Sequence, residues 1–95
     1  MGKGDGHSAG VYERLTVRRV QVLRLLADGH TETEIARALQ IELTTAHSSV
    51  DELREITGQP SGRALGGWWR EYRHDWVRWI AEQAGFELPP IDRPP

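Results

Sequence analysis

Cysteine is absent from all 95 residues. That removes disulfides, thiolate nucleophiles and most zinc sites, and it fits a chain made for the reducing cytoplasm. No apolar run is long enough to span a bilayer or serve as a secretion signal. Gly2 invites N-myristoylation, but Gly6 stands where that motif wants Ser or Thr. A surplus of basic residues is missing too. The formal net charge is −2, so any patch that meets a polyanion must be local and offset elsewhere. The histidines, His7, His30, His47 and His74, form no His-x-x-x-His or His-Glu pair of the kind a metal needs. His47 beside Ser48 and Ser49 is no nucleophile–base couple, because successive residues of a helix point in different directions. The glycines build no phosphate loop. These absences argue against an enzyme, and no cofactor or metal site is expected.

What is present describes one small domain. The chain is 38% hydrophobic and 27% charged, as soluble globular proteins are, and its length supports one modest core. Residues 1–10, rich in Gly and without an apolar pattern, are expected to be a disordered arm. The folded domain is expected over residues 11–86, starting near Val11 or Leu15. Residues 87–95 hold four of the five prolines and should form an extended tail.

Residues 31–58, TETEIARALQIELTTAHSSVDELREITG, organise the rest. Thr31 and Glu34 have capping-box spacing, so a helix starts there. Ile35, Ala36 and Leu39 share one face, Ile41 and Leu43 bracket a turn, and Ala46, Val50, Leu53 and Ile56 mark a second helix ended by Gly58 and Pro60. The pattern is that of a helix-turn-helix. Before it, Thr16 is a plausible N-cap for a helix ending at Asp28-Gly29, with Val20, Leu23 and Ala27 in one line and Val22, Leu25 and Leu26 beside it. After it, a long helix is expected from about Gly67 to Ala84. Ser61 is a candidate cap, and the Gly66-Gly67 pair is expected to delay the start. This last helix contains all four tryptophans.

LTVRRVQVLRLLADGHTETEIARALQI resembles the opening half of the LuxR/GerE-type helix-turn-helix family. The residues that carry the likeness are Leu15, Thr16, Arg18, Val22, Leu23, Leu25, Leu26, Gly29, Glu34, Ile35, Ala36, Leu39 and Ile41. It extends from residue 15 to about 57, and region 4 of sigma factors is similar over the same half. The resemblance implies an all-α, four-helix domain whose third helix enters the major groove. It also implies a dimer that meets through the fourth helix.

The departures are informative. The family usually has Gly at the position of Gln40 and Ser at that of Glu42. A left-handed backbone would strain Gln40, and Glu42 is a weak N-cap, so the third helix is expected to start later, capped by Thr44 or Thr45. Thr44 and His47 replace the family's lysines. Over residues 31–58 six acids face two bases, a local balance of −4, which disfavours a polyanion. The function expected is a small stand-alone transcription regulator that binds double-stranded DNA as a homodimer in the cytoplasm. Base readout falls to Thr44, Thr45, His47, Ser48 and Asp51, since hydroxyls pair with several bases and an acid accepts from cytosine N4. Phosphates fall to Arg14, Arg18, Arg19 and Arg37, with further arginines on the last helix. Aromatic side chains bury about 150–250 Å² each, and a domain this small can hardly hide all of them. One or two of these rings can close the core, and the surplus among Trp68, Trp69, Tyr72, Trp76 and Trp79 is expected to form the dimer or partner interface; the other reading is that the long helix folds back and the tryptophans are core. The alternative is a protein-interaction module that keeps this fold but binds a transcription-related protein in place of DNA.

Overall fold

The computed structural model describes residues 9–86, which form five helices. These are α1 (Ala9–Tyr12), α2 (Val17–Ala27), α3 (Glu32–Leu39), α4 (Leu43–Thr57) and α5 (Gly62–Gln83). No strand occurs among the described residues. The expected arm and tail lie largely outside them, although Ala9 and Gly10 open α1 where an arm was expected. A single turn is too short for its apolar spacing to register as a helix. It persists because Tyr12 is buried and its hydroxyl donates to the Asp75 carboxylate on α5 at 2.7 Å. Burial, reinforced by that carboxylate, pushes the Tyr12 phenol far above its ordinary pKa.

Helix α2 begins where the cap signal places it, with Thr16 Oγ1 accepting from the Arg19 amide. It ends at Gly29, whose φ of 92° is left-handed. There the amides of Gly29 and His30 bond back to the carbonyls of Leu26 and Leu25, a Schellman closure. Helix α5 starts at Gly62, five residues before the expected Gly67. Ser61 is the cap, accepting from the Ala64 amide, and the glycine pair lies inside the helix. The reason is packing. A Cβ at Gly66 would stand 2.9 Å from the Leu26 carbonyl oxygen, so this glycine lets α5 cross α2 with backbone against backbone.

The core gathers Leu15, Val22, Leu23, Ile35, Val50, Leu53, Leu65, Trp68 and Trp69 around Tyr12. Each fully buried aliphatic among them contributes about 1.5–3 kcal/mol. Two of the aromatic rings expected on the last helix close this core. Trp68 and Trp69 are only 4% and 5% exposed, and Tyr72, Trp76 and Trp79 are half-buried against the same core. The rings nest on one another, Trp68 on Tyr72 at 5.3 Å, Trp69 on Trp76 at 5.6 Å and Tyr12 on Trp79 at 5.8 Å between centroids. The Trp76 indole N–H is buried without a partner, so even its polar edge faces inward. Twenty-two helical residues folded back along α2 supply the cover that a shorter helix lacks. The large apolar side chains that α5 and its end leave exposed are Val77, Ile80 and Phe86, at 44%, 39% and 68%.

Candidate nucleic-acid interface

The capping box at the start of α3 forms in full. Thr31 Oγ1 accepts from the Glu34 amide at 3.1 Å, and Glu34 Oε1 accepts from the Thr31 amide at 3.0 Å. That backbone bond, with help from the His30 ring 3.2 Å away, holds the Glu34 carboxyl below the usual glutamate range.

The turn that aims α4 is made by Gln40, the one non-glycine residue with positive φ among those described, at φ 57° and ψ 47°. Its amide and that of Ile41 close on the carbonyls of Arg37 and Ala36. Helix α4 then starts at Leu43, not at the later position expected from a Thr44 or Thr45 cap. Glu42 is the N-cap residue and makes no side-chain cap bond. Its carbonyl accepts from the Ala46 amide at 3.0 Å, and its charge suits the positive helix end, so the backbone completes the turn without a hydroxyl.

Ala46, Ser49, Val50, Leu53 and Ile56 seat α4 on the core. All five base-readout candidates, Thr44, Thr45, His47, Ser48 and Asp51, are exposed on the rest of the helix. Two of them are not bare. His47 Nδ1 pairs with Glu32 Oε1 on α3, and Asp51 lies 3.5 Å from Arg54. An ionised carboxylate only accepts, so this partner puts the neutral-ring proton of His47 on Nδ1 and leaves Nε2 as an acceptor.

The four phosphate candidates separate. Arg14, Arg18 and Arg37 are exposed and form no ion pair with another described residue. Arg19 is engaged, with one guanidinium nitrogen 3.0 Å from Glu52 on α4 and the other donating to the Arg14 carbonyl at 2.8 Å. This pair brings the start of α2 beside the middle of α4. The roles of Glu32 and Glu52 escaped the sequence reading, because both pairings join residues 15 and 33 positions apart.

Among the described residues no His, Asp and Glu group could hold a metal ion, and no helix is long and apolar enough to cross a membrane. Residues 13–55 match the model of a family described as bacterial regulatory proteins, luxR family. The match runs from just before α2 to near the end of α4 and so contains α3, the Gln40 turn and most of α4. No curated protein and no solved structure matches the chain.

Proposed function

We propose, from the premise that residues 13–55 are a luxR-family helix-turn-helix, that this chain is a small cytoplasmic transcription regulator that binds duplex DNA by inserting α4 into the major groove. The observation that carries the reading is the exposed polar row on α4, set on a buried apolar face and aimed by the Gln40 turn. The Thr44, Thr45 and Ser48 hydroxyls suit several base edges, whereas Asp51 and the acceptor Nε2 of His47 suit the amino groups of cytosine or adenine. Arg14, Arg18 and Arg37 hold phosphates on either side. Two copies meet through Val77, Ile80 and Phe86, since the tryptophans are used within one copy.

One observation favours a second reading. The exposed side of α4 carries Asp51, Glu52 and Glu55, with Glu42 as its N-cap, and two arginines beside them, Arg54 and Arg19, are already tied to Asp51 and Glu52. A module that kept the fold and turned this acidic surface to a cationic protein partner has the same features. Titration of labelled random-sequence duplex at two salt concentrations, with mass measured in solution, separates them. A regulator binds as a dimer and weakens steeply with salt; absence of salt-dependent binding removes the DNA reading.

A further inference from the structure

Away from α4, a cleft of about 310 Å³ opens between the end of α2 and the start of α5, lined by Leu26, Gly29, His30, Gly62, Arg63 and Arg70. Its two arginines are seven residues apart, almost two full turns, so they rise from one face of α5. Arg63 is exposed and has no partner among the described residues. Arg70 donates from Nη1 to the Ala27 carbonyl at 2.6 Å. A guanidinium has five donors in a fixed fork, so this bond aims Arg70 and leaves most of its hydrogen-bonding capacity unused. No carboxylate is among the lining residues, and Glu34, the partner of the lining residue His30, is also held by the Thr31 amide. The cleft is thus a concave, doubly cationic place in a chain whose net charge is −2.

Its position matters. His30 forms one wall, and two residues further on Glu32 holds His47 of α4. At most about 7 Å of chain separates them. The start of α2 meets the middle of α4 at Glu52, where Arg19 is already paired, while the cleft adjoins along the chain the Glu32 that meets His47 of the same acidic helix. A major groove is about 12 Å wide and walled by phosphates on both sides. A helix that repels those walls needs its holding charges beside it.

We propose that the cleft between Arg63 and Arg70 holds a backbone phosphate of the duplex that α4 enters. This rests on the DNA-binding reading above and names the place where much of its affinity arises. Arginine suits the task because its planar fork matches phosphate oxygens in a bidentate way.

The test is the salt dependence of duplex binding, measured by fluorescence anisotropy, for the wild-type chain, Arg63→Ala/Arg70→Ala and Arg63→Glu. The double variant is expected to weaken binding to all sequences alike. The slope of log K against log salt should become shallower by about 1 for each phosphate contact removed. Arg63→Glu should weaken binding further. Because Arg63 has no partner among the described residues, Arg63→Glu keeps the wild-type melting temperature even if loss of Arg70 loosens the Ala27 contact. Wild-type binding with unchanged slope and affinity in both variants overturns the cleft and spares the DNA reading. No duplex binding by any chain overturns both. A third arm titrates inorganic phosphate while the amide signals of Gly62 and Arg63 are followed by NMR. Phosphate binding there, with DNA binding indifferent to both variants, assigns the cleft to free phosphate and overturns the proposal.

Discussion

The Arg19 guanidinium lies 3.0 Å from the Glu52 carboxylate, joining the first turn of α2 to the middle of α4. The side chains are 26% and 54% exposed, so the pair contributes little to stability, about 0–1 kcal/mol. Its larger effect is on charge, because it occupies a cation that the proposed duplex contact would draw on.

Glu52→Gln should therefore release Arg19 and remove an acid from α4 at once. Tighter duplex binding at low salt, a steeper salt slope and a nearly unchanged melting temperature are expected in the titration described above. Weaker binding would show that Glu52 positions Arg19 instead of masking it.

Gln40 sits in a left-handed conformation that costs an L-residue about 1–2 kcal/mol. Gln40→Gly should raise the melting temperature by roughly 4–8 °C for each kcal/mol gained. Ala38→Gly, on the exposed side of the same helix, should lower stability by about 1 kcal/mol. Thermal unfolding followed by circular dichroism checks the opposite signs.

The adjacent glycines of α5 should also respond oppositely to alanine. At Gly66 a new Cβ meets the Leu26 carbonyl oxygen at 2.9 Å, and overpacking of this kind costs about 1–3 kcal/mol. At Gly67 the nearest atom is the flexible end of Arg70 at 4.0 Å, so Gly67→Ala should gain about 0.5–1 kcal/mol from helix propensity. Urea midpoints decide it, and equal effects at the two sites would contradict the described crossing.

Acid should loosen the start of α3. The Glu34 carboxyl titrates below its ordinary value in the folded chain, first because of the Thr31 amide and then because of His30. The unfolded state therefore binds the proton more readily. The contribution is complete above the unfolded glutamate value and is lost as pH falls through the folded one. Urea midpoints from pH 6 to pH 3 should fall less steeply for Glu34→Gln than for the wild-type chain; parallel profiles would discard the effect.

Caps and turns are legible in the sequence because they act within a few residues. Thr16, the Thr31–Glu34 box and the stop at Gly58 follow from local rules, whereas the cap expected at Thr44 or Thr45 does not form, because Glu42 takes that place. Long-range matters are not legible in this way. Whether Trp68 and Trp69 are buried depends on how far α5 folds back along α2, and that rests on a backbone contact at Gly66 which spacing cannot display. The same holds for the Arg19–Glu52 pair, since one arginine among four at the start of α2 carries no mark of its partner. The five base-readout candidates on α4 were legible as an exposed row because the apolar period of that helix identifies the opposite side.

Helix α1 has a single turn and could not persist alone; it is held by Tyr12, whose ring lies 5.8 Å from that of Trp79. At that distance light absorbed by the tyrosine passes to the indole before it can be emitted. While α1 is docked this residue should therefore add little tyrosine emission, and undocking of α1 should restore it without any added dye.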